Sequence, residues 1–151
     1  MIRTAPDGTL SFWMNAQVLV EGMLVDHPLE LSYSARDALA ICLRFPRAGN
    51  EEPAGRHEEV LSDRSAFWRL DRDVLGRGHA TGELCGDVRV TRLESLGLIV
   101  VELLPGSVAA TTVRVPSVPV DEFLEATYRA VPAGSETTDV DGLIRSLLGR
   151  N

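Results

Sequence analysis

The residues able to do chemistry are thinly spread along this chain. Its three histidines, His27, His57 and His79, fall in stretches that read as turns or loops. None belongs to a zinc-binding pattern of two histidines four apart on one helix face. A nucleophilic triad needs a serine or cysteine close to histidine, and the spacing gives no support for one. Asp71, Asp73 and Asp87 are the best candidates for a Mg²⁺ site built from carboxylate oxygens. The competing and favoured reading is that they cap a helical turn and open a strand. Asp139-Val140-Asp141-Gly142 resembles the start of a calcium loop but lacks the later ligands and the closing glutamate. Gly76-Arg77-Gly78 is not followed by a helix start, so it is no dinucleotide fingerprint. The residues therefore ask for no catalytic centre, cofactor or metal.

The elements around these residues follow from periodicity. The even positions from Leu10 to Leu24 are mostly apolar and the odd ones mostly polar, which is a half-buried strand. Trp13 and Leu19 interrupt its polar face and mark a second contact surface. Asp26-His27-Pro28 reads as a turn. Leu29 to Ser34 alternates again, so an antiparallel hairpin is expected. A third strand runs from Ala38 to Phe45 and stops at Pro46, with Cys42 as a small core residue. Residues 46–64 are acidic and broken by proline and glycine, which predicts a flexible connection.

Ala66–Leu70 forms a fourth strand, and Asp71 caps a short helical turn through Leu75 that Gly76 and Gly78 end. Strands follow at Asp87–Thr91, Gly97–Leu104 and Thr111–Val115. The middle one is apolar on both faces and so central. After Ser117 as cap and Pro119 in the first turn, helical spacing takes over to Val131. A second amphipathic helix is predicted around Val140, Leu143, Ile144, Leu147 and Leu148.

Composition limits the partners. The 151 residues carry a net charge of −7, and all fifteen basic residues are arginine. Nucleic-acid binding depends on a basic surface that neutralises phosphate, so an acidic chain is a poor candidate. Arg64, Arg69, Arg72, Arg77, Arg89 and Arg92 crowd together, but they alternate with Asp63, Asp71, Asp73 and Asp87 and read as ion-paired. Two isolated cysteines, Cys42 and Cys85, fit a reducing compartment. Met1–Leu10 has no apolar signal core. The longest aliphatic run, Leu96–Leu104, is too short for a bilayer and contains Glu102. A soluble cytoplasmic protein with no direct membrane insertion is expected.

Several blocks together resemble the SsgA-like proteins, sporulation and cell-division regulators of actinomycetes. Tyr33, Asp37, Ala40 and Ile41 look like that family's early Tyr and Asp-Pro block. Trp68, Arg72-Asp73-Val74-Leu75 and Gly78 look like its tryptophan, Arg-Asp-Leu-Leu and glycine. Gly86-Asp87-Val88-Arg89-Val90 is similar to its Gly-Asp-Val-Arg strand. Phe123-Leu124, Thr127 and Val131-Pro132-Ala133-Gly134-Ser135-Glu136 resemble its Phe-Leu…Thr…Val-Pro-x-Gly-x-Glu stretch. The Asp139-Val140-Asp141 start of the leucine-rich end completes a match running from about Met14 onward. Ala38 and Gly82 stand where prolines are usual, and the 105–120 segment differs in length.

The resemblance implies an α+β fold of two antiparallel β-sheets with C-terminal helices. That fold is similar to the whirly single-stranded nucleic-acid-binding proteins and mitochondrial RNA-binding proteins. The run of strands followed by helices is compatible with it without selecting it. One domain would span 1–151, with residues 1–12 as an N-terminal extension. The resemblance also implies a homotrimer and a non-enzymatic regulator or adaptor recruited to the septum. Its partners there would be FtsZ, the tubulin-like division protein, or another SsgA-like protein. The alternative is single-stranded nucleic-acid binding, which the charge opposes. The expected partner or oligomer surface comprises Trp13, Leu19, Trp68, Arg72, Asp73 and Leu75.

Overall fold

The period-two pattern of the first half becomes strands that share one apolar face. A computed structural model describes residues 1–46, 65–79, 87–106 and 110–136. The elements are β1 (Arg3–Thr4), β2 (Leu10–Val20), β3 (Met23–Tyr33), β4 (Ala40–Pro46), β5 (Ser65–Asp71), α1 (Arg72–Arg77), β6 (Val88–Leu93), β7 (Leu98–Leu103), β8 (Thr111–Pro116) and α2 (Ser117–Ala130). Single 3₁₀ turns lie at Ala35–Asp37 and Glu94–Leu96. The expected helix around Val140–Leu148, the 46–64 connection beyond Pro46, Asp139–Gly142, His57, Gly82 and Cys85 lie outside the described residues.

All pairings are antiparallel, in the order β5-β4-β3-β2-β8-β7-β6, with β1 on β2. This corrects the expectation of two sheets: the described strands form one. The reason is the junction between β2 and β8, where Gln17 meets Arg114 and Val18 meets Val113. Those two pairs alone join the five strands β1–β5 to the three strands β6–β8. β7 lies between β6 and β8, as its two-sided apolar character requires.

The hairpin also differs from expectation. β2 and β3 stay in register from Leu10↔Tyr33 to Val20↔Met23, so the chain reverses at Glu21-Gly22 rather than at Asp26-His27-Pro28. Both turn residues have positive φ, 48° and 79°. That is the backbone of the two-residue hairpin turn that matches strand twist. Pro28 sits inside β3, opposite Asn15. β4 reaches only Glu30–Ser32, so a residue lacking an N–H is tolerated on the unpaired flank.

The core lies between the inner face of the sheet and α2. Leu29, Leu31, Ile41, Leu43, Val90, Ile99, Val101 and Val113 from the strands pack with Val120, Phe123 and Leu124 of the helix. Phe12 meets Phe123 with ring centroids 6.5 Å apart. Each fully buried aliphatic or aromatic chain contributes about 1.5–3 kcal/mol, so an aliphatic core suffices with few aromatics. Ser117 is the first residue of α2 rather than its cap; Pro116 holds that place. Ser117 is buried because its N–H donates to the Gly97 carbonyl at 2.9 Å. Cys42 is on the outer side of β4, half-buried between Ser32 and Arg69, and is not a core residue.

A Cβ added to Gly22 would have no heavy atom within 4 Å, so a side chain there meets backbone strain alone. Gly22→Ala is therefore expected to cost about 1 kcal/mol, measured by urea denaturation, with no change in the denaturant slope. A loss above about 3 kcal/mol would show that the tip is packed rather than free.

Candidate functional site

Asp71 ends β5 and caps α1. Its carboxylate accepts from the N–H groups of Asp73 at 2.8 Å and Val74 at 3.1 Å. This local cap directs the next residue, Arg72, inward, and its backbone N–H donates to Leu39 at 2.7 Å. Arg72 is 1% exposed, one of the most deeply buried side chains described. Its Nη1 donates to Tyr33 Oη at 3.1 Å and to the carbonyls of Thr127 at 3.1 Å and Val131 at 2.8 Å. Nη2 donates to Glu136 Oε1 at 2.5 Å. The guanidinium lies 4.1 Å from the Tyr128 ring centroid and 5.2 Å from that of Tyr33.

The electrostatics follow from this geometry. Thr127 and Val131 present carbonyls at the C-terminal end of α2, where the helix dipole is negative and a cation is favoured. Glu136 accepts from its own backbone N–H, from Arg72 and from Gly134 N–H, which together hold its carboxyl below the usual range. Burial raises the Tyr33 and Tyr128 phenols, opposed in both by the charge of Arg72. Tyr33 remains a phenol at neutral pH and donates to the Ala38 carbonyl at 3.1 Å while accepting from Arg72. Ala38 has φ −65°, the angle a proline ring would impose.

A second arginine braces the far end of α1. Arg92 Nη2 contacts both carboxylate oxygens of Asp121 at 3.0 and 2.9 Å, Nε reaches Glu94 at 3.0 Å, and Nη1 reaches the Leu75 carbonyl at 3.3 Å. Burial works against its charge, and the hydrogen bonds to Asp121 and Glu94 outweigh that. Gly78 passes against Arg92 and Val90 with φ +75°, a place for glycine. The next residue, His79, bonds β6 through its backbone N–H and its Nδ1, both to Val90.

These contacts change the expected surface. Arg72 and Leu75 are buried, 1% and 2% exposed, and cannot meet a partner directly. Their burial is the consequence of Asp71 capping α1 against α2. Trp68 pairs with Leu43 on the inner side and packs half-buried on the core. Asp73 is exposed and pairs with Arg77 at 2.6 Å. Trp13 and Leu19 are 38% and 42% exposed on the outer face. The expected pairing of the arginine-rich stretch with its interleaved aspartates is met only by Arg77 with Asp73; the other described arginines pair with distant partners, Arg69 with Asp37, Arg72 with Glu136, Arg89 with Glu102 and Arg92 with Asp121, and Arg64 and Asp63 lie outside the described residues.

The outer face holds a row that sequence reasoning missed. Register places Trp13, Glu30, Arg44 and Phe67 side by side across β2, β3, β4 and β5. Arg44 Nε meets Glu30 at 2.6 Å, and the guanidinium stands 5.0 Å from the Trp13 ring centroid. Phe67 closes the row, 46% exposed. Alternation alone gave each residue its face; only the register aligns them.

Among the described residues no group of three or more His, Cys, Asp or Glu could hold a metal ion. Asp71 and Asp73 are engaged in the cap and an ion pair, and Asp87 accepts Leu104 N–H through its carbonyl. A shallow depression of about 340 Å³ lies against the Arg72 cluster, lined by Leu39, Asp71, Val74, Arg77 and Tyr128. No described helix is long and apolar enough to cross a membrane.

This antiparallel sheet backed by a long helix defines an α+β protein of the kind seen in sporulation-specific division proteins. Residues 28–136 match the family described as the Streptomyces sporulation and cell division protein SsgA. The chain belongs to that family. Its structure is similar to an SsgA-like sporulation-specific cell division protein from Thermobifida fusca, with TM-score 0.68, 25% identity, and 96% and 99% of the two chains covered. It is also similar to SsgB of Streptomyces coelicolor, in which mutations correlate with longitudinal cell division during sporulation. That match has TM-score 0.63 and 26% identity over 85% of this chain and 92% of the other. A search of curated proteins found no match.

Arg72→Ala is expected to destabilise the protein by about 3 kcal/mol or more, because buried acceptors lose their donor. Arg72→Lys is expected to recover little, since one ammonium cannot serve this spread of acceptors. Chemical denaturation of both variants checks this; an Arg72→Lys protein as stable as wild type would refute it.

Glu136 supplies a pH dependence of known sign. Its folded-state pKa is lowered, so its contribution is fully present above the ordinary carboxylate value of 4.5 and is lost as pH falls through the folded value. Wild type is expected to melt above Glu136→Gln at neutral pH, and the gap is expected to close in acid. A gap that stays constant into acid would show that Glu136 acts by packing instead of charge.

Proposed function

We propose that the protein is a non-enzymatic adaptor that positions the septum and peptidoglycan machinery during sporulation-specific division. It is recruited to the septum from the cytoplasm through protein contacts and meets FtsZ or another SsgA-like protein there. The working unit is a homotrimer on a whirly-like fold. The observation carrying this reading is membership of the SsgA family over residues 28–136, which include the Arg72 cluster. The charged and aromatic residues divide in a way that supports it. Arg72, Tyr33 and Glu136 hold elements together, while Trp13 and Phe67 stay exposed on the outer face.

In this reading the outer row from Trp13 to Phe67 receives the partner. An exposed aromatic flanking a paired arginine offers apolar area and oriented polar groups at once, the make-up of interface hot spots. Single-stranded nucleic acid is not the ligand, since a −7 chain repels phosphate.

The test is retention of purified FtsZ from an actinomycete on the immobilised full chain, beside a gel-shift assay with single-stranded DNA. The expected result is FtsZ or SsgA-like protein retained, no DNA shift, and about tenfold weaker retention by the Trp13→Ala, Phe67→Ala double variant. A salt-dependent DNA shift without protein retention would replace the adaptor with a nucleic-acid binder. Full retention by the double variant would move the contact off the outer row.

A further inference from the structure

The sheet ends at β6 on one side and at β5 on the other, and the two edges differ. Leu104 N–H donates to the Asp87 carbonyl at 2.7 Å, so alternation turns the backbone groups of Val88, Val90 and Arg92 away from β7. Val90 is closed off: its carbonyl accepts from His79 N–H at 2.8 Å, and its N–H donates to His79 Nδ1 at 2.9 Å. Gly78 packs beside it, where a Cβ would stand 3.4 Å from the Arg92 nitrogen. The turn after α1 thus occupies the place of a further strand. β5 has no such cover among the described residues. Arg72 N–H donates to the Leu39 carbonyl at 2.7 Å, so Leu70, Trp68 and Ala66 bond to β4 in the ladder. The N–H and carbonyl groups of Phe67 and Arg69 point the other way, and among the described residues nothing bonds to them.

We infer that the open edge of β5 receives a segment of a partner protein in extended conformation, added as a strand. The inference rests on the reading that the outer face meets the partner, and it names how. An unpaired edge is a template for another strand. In such a contact the backbone bonds supply affinity and alternate side chains supply specificity. The outer row runs to this edge, since Phe67 is its last member. Phe67 and Arg69 both point to the outer face, while Trp68 between them lies half-buried on the inner side. An added strand therefore places an apolar side chain opposite Phe67 and a carboxylate, two residues away, opposite Arg69. The residue between those two is apolar and lies beside Trp68.

Charge narrows the occupant. From Ala66 to Leu70, Arg69 is the sole charged residue. It pairs only with Asp37, and the two side chains are 67% and 46% exposed. An exposed pair of this kind contributes little, so the guanidinium is free to turn to an incoming carboxylate. A second copy of the chain is disfavoured twice over. Two chains of net charge −7 repel, and pairing β5 of one with β6 of the other is blocked by His79. A strongly acidic segment is repelled for the same reason as a second copy. The fitting partner segment is mostly uncharged, rich in residues that favour strands, and carries a single carboxylate.

The experiment selects a displayed library of random short peptides on the immobilised full chain, then follows amide hydrogen exchange with the strongest peptide. In the chain alone, the Phe67 and Arg69 amides are expected to exchange fast and those of Trp68 and Leu70 slowly. The peptide is expected to slow Phe67 and Arg69 by at least about tenfold. Of its two alternately N-methylated forms, only the one that blocks the amides facing β5 is expected to lose binding. Arg69→Glu is expected to replace the selected carboxylate by a basic residue. Phe67→Pro is expected to bind the peptide at least about tenfold more weakly than Phe67→Ala, with an unchanged circular dichroism spectrum, because the N–H it lacks bonds nothing within the sheet. No enriched peptide, binding kept by both N-methylated forms, or slow exchange of Phe67 and Arg69 in the chain alone would each overturn the inference. The last result assigns the edge to another part of the chain or to a second copy. If retention of FtsZ falls in the Trp13→Ala, Phe67→Ala variant, yet Phe67→Pro weakens it no more than Phe67→Ala, the outer row stands and strand addition is lost. A peptide bound as expected, beside a chain that retains neither FtsZ nor an SsgA-like protein, removes the adaptor reading alone.

Discussion

The buried guanidinium of Arg72 is the constraint around which the rest of the structure is arranged. Taking a cation out of water costs several kcal/mol, even after relaxation, unless its hydrogen bonds are replaced. Here they are replaced by one phenol, two carbonyls and one carboxylate, drawn from β3, the end of α2 and the turn beyond it. If any of these elements moves, the charge is left short of partners. The arginine thereby fixes where α2 stops against the sheet. The flat Tyr128 ring over the guanidinium fills the remaining side with a cation–π contact.

The same cluster explains why distant stretches of the sequence read together. Tyr33, Arg72 and the Thr127–Glu136 stretch are up to about a hundred residues apart, yet they meet around one side chain. Each depends on the others. Tyr33 needs a donor for its oxygen and an acceptor for its proton, and it finds Arg72 and Ala38. The turn at Gly134 holds Glu136 in place through an N–H at 2.6 Å. A family resemblance carried by such blocks is thus a resemblance in one packing solution, which is fold evidence before it is evidence of activity.

Local patterns were legible where local forces decide them. The β2 alternation, the Asp71 cap, the glycine stop at Gly78 and the long helix after Pro116 all depend on neighbours within a few residues. The hairpin turn was missed because Asp-His-Pro is the louder turn signal, while Glu21-Gly22 carries only one residue that prefers positive φ. The single sheet could not be read at all, since two residue pairs between β2 and β8 decide it. Arg72 was misplaced for a related reason. A charged residue one step after an N-cap reads as surface, and nothing in its own segment announces acceptors from the other end of the chain.

That misplacement bears on where function can lie. A charge consumed by internal acceptors has little left for a ligand, so the most distinctive residues of the chain are poor guides to its contacts. The candidates are instead ordinary residues that register aligns: Trp13, Glu30, Arg44 and Phe67 in one outer row. The row offers oriented polar groups between aromatics, the make-up of a specific contact. Antiparallel pairing keeps it clear of the core: it sends alternate side chains to opposite faces, so the core-facing residues hold α2 while the outer row stays free.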